Sequence, residues 1–352
     1  MENKSASQPK LGSGYFSPQV QVAIRLNSNE SPFPLPQKWQ SELAKAVEGI
    51  QFNRYPDRFA MNLRAALANY HSLKTENIFV ANGSNEVIQS IYLTLCRDKK
   101  VAMFEPTYLL HSHIANIVRV QTQRYLRDEN FRVARSELEQ AIDREDLGVI
   151  MLCSPNNPTG NCESTEIIEY ACANFKGTVV VDEAYVQFST QHITDLLDKF
   201  DNLAIVRTFS KTWGSAGLRL GYCMASADIV EGLFDICLPY HVDAIKQIAG
   251  ILALEYENDI IKSTNEIVKQ RNQTFGYLKT LPLDVFESES NFIMFRPKTV
   301  SSEDLFNALI EKSILIRYLN SFHNLEPTLR VTIGTQDEMD RFHEALKDCL
   351  SS

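Results

Sequence analysis

The segment Arg207–Tyr222 reads RTFSKTWGSAGLRLGY and places a lysine, Lys211, shortly after a run, Leu203–Arg207, that predicts a buried strand. Ser210 precedes the lysine, small residues follow it, and Arg219 lies eight residues downstream. A lysine is usually a solvated surface charge, but an amine at the end of a buried strand is partly desolvated and becomes nucleophilic near neutral pH. The segment therefore predicts a reactive lysine at the edge of a sheet.

Upstream of Lys211, short apolar strands alternate with helices. The predicted strands are Ile78–Ala81, Val101–Phe104, Val149–Cys153, Thr178–Val181 and Leu203–Arg207. The predicted helices are Gln37–Gly49, Asp57–His71, Asn85–Cys96, Tyr108–Ile117, Arg135–Arg144 and Glu163–Ala173. This alternation indicates an α/β fold with a mostly parallel sheet covered on both faces. Beyond Pro239, one long helical stretch, roughly His241–Leu278, precedes mixed strands and helices, which predicts a smaller α+β domain.

The composition is typical of a globular protein, with 352 residues, of which 44% are hydrophobic and 22% charged. A formal net charge of −9 provides no broad positive field, which argues against a nucleic-acid or acidic-membrane partner. The polar start, Met1–Gly14, lacks a signal-peptide core and no later run is long enough to span a bilayer, so we expect a soluble cytoplasmic protein. The seven cysteines form no C-x-x-C pair, and we expect reduced thiols, with neither disulfides nor a metal site.

Three further polar segments follow predicted strands upstream of Lys211. Asp182 closes the strand Thr178–Val181 in VVVDEAY, at the end where open α/β sheets bind ligands, although taken alone it is as often a helix cap. The segment ANGSNE, residues 81–86, places a Gly–Ser turn before a helix N-terminus, an arrangement that binds anions. The segment CSPNNPTG, residues 153–160, by itself predicts a tight turn.

These segments, taken in order, resemble the fold-type I enzymes that use pyridoxal phosphate, in which the large domain holds a seven-stranded sheet. The resemblance implies that Lys211 binds the cofactor covalently and, once displaced, moves the substrate α-proton. It also implies that Asp182 keeps the ring nitrogen protonated and that Tyr185 and Asn157 donate to the ring hydroxyl. We expect Lys211, Asp182 and Tyr185 to be the catalytic residues. The other implied cofactor contacts are Gly83, Ser84, Asn85, Ser210 and Arg219 at the phosphate and Tyr108 on the ring face.

Within that superfamily, two N-terminal segments resemble histidinol-phosphate aminotransferases: RLNSNESPFPLP at residues 25–36 and NRYPD at residues 53–57. The resemblance implies a homodimer in which Tyr55 reaches the cofactor phosphate of the neighbouring subunit. The implied substrate contacts are Tyr15, in a mobile N-terminal arm, and Asn29, Arg317 and Arg330. An arginine fork suits these contacts because it binds phosphate and carboxylate equally well. Departures from the family pattern, at Asn85, Trp213 and Ser215, remove no group that the chemistry needs.

The implied reaction transfers an amino group between L-histidinol phosphate and 2-oxoglutarate, giving imidazole-acetol phosphate and glutamate, as in histidine biosynthesis. An aromatic-amino-acid aminotransferase or a phosphothreonine decarboxylase would share every cofactor residue. A non-catalytic regulator that binds the cofactor is a third alternative, but it would need a DNA-binding domain, for which the polar start is too short. The expected division is an arm at residues 1–25, a small domain at 26–50 and 241–352, and a large domain at 51–240. The sequence leaves open whether His241 contacts substrate or only packs.

Overall fold

The computed structural model describes residues 20–351, and Tyr15 lies outside them. The strands are β1 (Ile24–Arg25), β2 (Ile78–Ala81), β3 (Lys100–Glu105), β4 (Thr122–Leu126), β5 (Leu147–Cys153), β6 (Thr178–Asp182), β7 (Leu203–Thr208), β8 (Gly221–Ala225), β9 (Leu283–Val285), β10 (Phe292–Pro297), β11 (Ile314–Leu315), β12 (Arg317–Leu319) and β13 (Thr328–Thr332). The helices are α1 (Gln37–Glu48), α2 (Met61–His71), α3 (Ser84–Leu95), α4 (Leu109–Ile117), α5 (Arg135–Ile142), α6 (Thr165–Asn174), α7 (Ala227–Ile236), α8 (Ala244–Leu254), α9 (Glu257–Leu278), α10 (Ser302–Glu311) and α11 (Gln336–Ser351).

The central sheet has seven strands in the order β2-β8-β7-β6-β5-β3-β4. Only β8 runs antiparallel to its neighbours, β2 and β7. Successive side chains of the buried strands enter separate cores on the two faces: Ile205 packs in one cluster and Val206 in the other. Helices α2 and α6 contribute to the first core, and α3, α4 and α7 contribute to the second. The predicted α/β class, with a mostly parallel seven-stranded sheet between helices, is confirmed.

The C-terminal part forms a second sheet with its own core. Strands β12, β13, β10 and β9 pair antiparallel in that order, and β1 pairs parallel with β11. Apolar residues of α9, α10 and α11 pack with these strands in a third cluster. Helices α1 and α8 contact each other, and α8 also contacts α2. The division at residues 25/26, 50/51 and 240/241 stays a prediction.

Two predicted helices differ from the observed ones by more than two residues at one end. The stretch His241–Leu278 is two helices, α8 and α9, because Tyr256 leaves helical geometry at φ −102° and ψ 22°, where its hydroxyl donates to Glu42 at 2.6 Å. The helix predicted from Asp57 begins at Met61, whose amide donates to the Asp57 carboxylate at 2.7 Å. The apolar pattern also does not predict β4, β8 or α7.

Candidate active site

The carboxyl ends of β5, β6 and β7 lead into one cavity. Its lining residues are Ser84, Asn85, Tyr108, Cys153, Asn157, Asp182, Ala184, Tyr185, Thr208, Ser210, Lys211 and Arg219. Parallel strands bring their carboxyl ends to the same edge of the sheet, so residues that are far apart in sequence meet there. Cys153, Ala184 and Thr208 are the lining residues that the sequence analysis did not single out.

Lys211 follows β7 and lies close to two arginines. Its Nζ donates to the Ser28 carbonyl at 2.8 Å. Burial, together with the positive charges of Arg330 and Arg219, lowers the pKa of Lys211 to about 8, against the opposing effects of Glu30 and Asp182. The neutral amine, which is the nucleophilic form, is therefore far more populated near neutral pH than in an ordinary lysine.

Asp182 ends β6, and two donors fix its carboxylate. The Ala184 amide donates to Oδ1 at 3.1 Å, and His111 Nε2 lies 2.9 Å from Oδ2. Asp182 is 2% exposed and His111 is fully buried. The Nδ1 atom of His111 makes no hydrogen bond within residues 20–351, so Nε2 carries the proton that it shares with the carboxylate.

The sequence analysis missed His111. A signal for it exists, because His111 has helical spacing with Ile114 and Ala115 on the buried face of α4. A polar ring on an apolar helix face needs a buried hydrogen-bond partner. The partner of His111 is Asp182, at the end of β6.

An anion-binding arrangement lies at the N-terminus of α3. Gly83 precedes the helix with φ +86°, and a Cβ atom there would lie 2.8 Å from Arg219 Nη2. Arg219 Nη1 donates to Ser210 Oγ at 3.2 Å, and Thr208 Oγ1 donates to the same oxygen at 3.0 Å. A bound phosphate requires several hydrogen-bond donors around one point, such as free helix amides, hydroxyls and a guanidinium group. This donor set fits the phosphate of the predicted cofactor.

A buried hydrogen-bond network surrounds Tyr185. Its hydroxyl accepts from Asn29 Nδ2 at 2.9 Å and from Asn157 Nδ2 at 3.3 Å, which leaves the hydroxyl proton for another acceptor. Arg330 Nη1 donates to Asn157 Oδ1 at 2.5 Å. Burial raises the pKa of Tyr185 well above its ordinary value. Two predicted substrate contacts, Asn29 and Arg330, therefore adjoin the predicted cofactor residues.

Three residues from the sequence analysis lie away from the cavity lining. Tyr55 is 80% exposed and stacks on Tyr240, with ring centroids 4.5 Å apart. Arg317 lies on β12, outside the lining, directly opposite Arg330 of β13. His241 Nε2 donates to the Val80 carbonyl at 2.8 Å and its ring stacks on Phe79, so its contacts here are packing contacts.

Residues 20–351 contain no cluster of three or more His, Cys, Asp or Glu side chains arranged to hold a metal ion. No helix within the described part of the chain has the length and apolar character needed to cross a membrane.

Comparisons with known proteins agree with this geometry. The chain matches the Aminotransferase class I and II family over residues 21–346. It is 35% identical to the histidinol-phosphate aminotransferase of Ruminiclostridium cellulolyticum, over 92% of each chain, and 31% identical to that of Caldanaerobacter subterraneus, over the full length of both. The structure of histidinol-phosphate aminotransferase from Sinorhizobium meliloti in complex with pyridoxal-5'-phosphate superposes with a TM-score of 0.85 at 22% identity, covering 94% of this chain and 92% of that one. The chain therefore belongs to the class I and II aminotransferase family, whose cofactor is pyridoxal phosphate.

Proposed function

We propose that this enzyme transfers an amino group between L-histidinol phosphate and 2-oxoglutarate. The observation that carries the proposal is the register that pairs Arg317 with Arg330, whose guanidinium bonds to the cavity residue Asn157, and the names of the full-length relatives support it. An enzyme that alternates between a phosphate monoester and a dicarboxylate needs one cationic pocket for both anions. Two guanidinium groups meet that need.

The two arginines are directly opposed on antiparallel strands, with Arg317 of β12 in register with Arg330 of β13. Side chains in that relation project from the same face of the sheet, and like charges there repel each other. An anion between them would offset this repulsion. Arg330 is tied to the cavity through Asn157, and its Nη2 donates to the Asn27 carbonyl at 2.9 Å.

The cofactor, when bound, supplies an electron sink for the bond that breaks at the substrate α-carbon. In our proposal, Lys211 Nζ takes up and returns the α-proton, a role that suits an amine whose pKa is lowered to about 8. The Asp182 carboxylate accepts from the protonated ring nitrogen and is oriented by His111 and Ala184. Tyr185, together with Asn157, orients the ring hydroxyl.

The remaining cofactor contacts in the proposal hold the phosphate and the ring face. Arg219, Ser210 and the α3 N-terminus bind the phosphate, which is the role for which their donors converge. Tyr108 packs on the ring. Tyr108 also contacts the His111 ring edge-on, with centroids 5.3 Å apart. The packing of Tyr108 and His111 against each other therefore helps to fix the position of both side chains.

An aromatic-amino-acid aminotransferase of the same family is the alternative, and Arg317 separates the two. Loss of an arginine from a bound phosphate typically costs about 2–5 kcal/mol, roughly thirtyfold to several thousandfold in kcat/KM. The Arg317→Ala variant should therefore lose most of its kcat/KM for histidinol phosphate and little for phenylalanine. Arg296→Ala is the control, because Arg296 lies in the same sheet but pairs with Asp284 and Glu326. A wild-type preference for phenylalanine, or equal losses for both substrates in Arg317→Ala, would favour the alternative.

We further propose that the active unit is a homodimer. The segments around Tyr55 and Tyr240 expose several large apolar side chains, here called the interface patch: Phe52, Tyr55, Met61, Leu238 and Tyr240. Two of its rings stack, and Gln247 Nε2 donates to the Asp57 carbonyl at 2.9 Å, which joins the segments that carry the patch. A contiguous apolar patch on a protein surface typically marks an interface, and a self-complementary patch closes a symmetric dimer.

The dimer is testable by mixing subunits. If Tyr55 serves the neighbouring site, a heterodimer of Tyr55→Phe and Lys211→Ala subunits has one site with both lesions and one with neither. Activity should then reappear at roughly a quarter of the wild-type level, since half the dimers are mixed and each has one intact site. An absence of recovery after verified subunit exchange would count against shared sites.

A cytoplasmic location is also part of the proposal. All seven cysteines carry free thiols, and Cys96, Cys153, Cys162, Cys172 and Cys223 are buried. Unpaired buried thiols suit a reducing compartment. Fractionation of cells that produce the protein tests the location directly, and recovery outside the cytoplasm would refute it.

A further inference from the structure

A second cavity, here called the junction cavity, lies away from the active site and has a volume of about 310 Å³. Arg132 and Asn161 line one side, near the loop that follows β5. The other lining residues, from α9, the β9–β10 loop and β10, are Arg271, Asn272, Phe275, Glu287, Ser288, Glu289 and Ile293. None of these residues belongs to the active-site lining. Its volume is at the lower end of ligand pockets, which suits a small molecule.

Arg271 is a buried charge without an ion-pair partner. It is 8% exposed, and its Nη1 donates to the carbonyls of Phe188 and Ser290, both at 3.1 Å. Its Nε donates to Asn272 Oδ1 at 3.3 Å, and no carboxylate forms a salt bridge with it among residues 20–351. Buried guanidinium groups are costly unless an anion compensates them. Burial lowers the pKa of Arg271, and the charge of Glu289 opposes this lowering only in part.

The cavity is lined by charges of both signs, and within the described residues no salt bridge joins them. Arg132 and Arg271 contribute positive charge, and Glu287 and Glu289 contribute negative charge. Within the described part of the chain no salt bridge joins these four side chains, although Arg132 Nη1 donates to the Cys162 carbonyl at 3.2 Å. Neighbouring opposite charges usually form salt bridges, and their absence among these lining residues leaves the charged groups available to a ligand with both charges.

We propose that the junction cavity binds a free L-α-amino acid with an apolar side chain. The arginines would bind its carboxylate, and the two glutamates would bind its ammonium group. Phe275 and Ile293 provide an apolar surface for its side chain. A nucleotide or a sugar phosphate is a poorer fit, because the glutamates would face its phosphate. A metal ion is also a poorer fit, because the positive charges of both arginines would repel it.

The test uses the holoenzyme with its cofactor fixed to Lys211 by borohydride reduction, so that amino acids are not converted in the active site. Titration calorimetry with L-phenylalanine and with L-leucine should give one saturable site per chain. Arg132→Ala and Glu287→Ala should each weaken that binding roughly tenfold to a hundredfold, the usual effect of losing a charge-assisted hydrogen bond. Both replaced side chains are exposed, which favours intact folds, and thermal unfolding checks this. Arg271 is left unchanged because it also holds two backbone carbonyls.

Two controls locate the binding and define its chemistry. Arg135→Ala removes a nearby surface arginine outside the cavity, which pairs with Glu139, and should leave the affinity unchanged. N-acetyl-L-phenylalanine and L-phenylalaninamide each lack one of the two charges and should bind as weakly as L-phenylalanine binds to the Ala variants. The proposal is overturned if neither amino acid shows saturable binding. It is equally overturned if Arg132→Ala and Glu287→Ala leave the affinity unchanged, because the bound amino acid then lies elsewhere.

Discussion

Replacing Gly83 with alanine should damage cofactor binding more than it damages the fold. Gly83 has φ +86° and ψ 164°, a region that side-chain-bearing residues adopt only at a cost of about 1–3 kcal/mol. The new Cβ atom would lie 2.8 Å from Arg219 Nη2, so the guanidinium must retreat by about 0.6 Å to reach an ordinary contact of 3.4 Å. Because Nη1 is bonded to Ser210, this retreat moves the phosphate donors apart. Losing one charge-assisted hydrogen bond raises the Kd for pyridoxal phosphate roughly tenfold to a hundredfold.

Gly217 provides a matched control for Gly83→Ala. It lies two residues before Arg219, and a Cβ atom there meets nothing within 4 Å. Apoenzyme titrated with pyridoxal phosphate, followed by the visible absorption of the bound form, gives Kd for wild type and both variants, and urea unfolding gives their free energies of unfolding. We expect Gly217→Ala to match the wild type in both measurements. A Kd for Gly83→Ala within about twofold of the wild type would refute the proposed phosphate site.

Asp182→Asn should retain pyridoxal phosphate but lower kcat by about a hundredfold or more, because the ring nitrogen loses its anion; an unchanged kcat would contradict this role. His111→Phe removes the donor to Asp182, so the absorption maximum of the bound cofactor should shift and kcat should fall about tenfold. His113→Phe, on the same helix, should change neither quantity. Covalent capture of pyridoxal phosphate by the apoenzyme should accelerate with pH and level off above about 8, the pKa of Lys211, whereas a rate that still rises up to the ordinary lysine value of 10.5 would argue against a buried amine. Burial lowers the pKa of His71 to about 3, so its contribution to stability is complete above about pH 6.5 and declines by up to about 1.4 kcal/mol per pH unit below it. Urea unfolding across that range should show this slope in the wild type and a smaller slope in His71→Gln.

The meeting of Asp182, Asn157 and Lys211 in one cavity was predictable because these residues follow apolar strands. A strand that is buried on both faces has a strong sequence pattern, and in a parallel sheet its carboxyl end must lie at the same edge as those of its neighbours. Asp182, Asn157 and Lys211 each follow or end such a strand, and all three line one cavity. The local sequence, together with the sheet rule, was sufficient to bring them together.

Other features depend on contacts that no local pattern describes. Arg317 and Arg330 become neighbours only through the antiparallel register of β12 and β13, which is not encoded in either strand alone. His111 has the spacing of a core residue, and its partner lies 71 residues away. The break between α8 and α9 lies at Tyr256, whose hydroxyl bonds to Glu42 of α1, and apolar periodicity predicted one long helix across it.

The basicity of Lys211 follows from its surroundings and should be retained once a substrate has displaced the lysine from the cofactor. Three causes lower its pKa, in the order burial, Arg330 and Arg219. A phosphate bound at Arg219 would offset the pKa lowering caused by Arg219. An anionic substrate at Arg330 would offset the lowering caused by Arg330. Burial, the largest cause, does not depend on either anion and would increase as ligands exclude water. The displaced amine should therefore keep a lowered pKa in the occupied site, because burial after β7, rather than the neighbouring arginines, is the largest cause of the lowering.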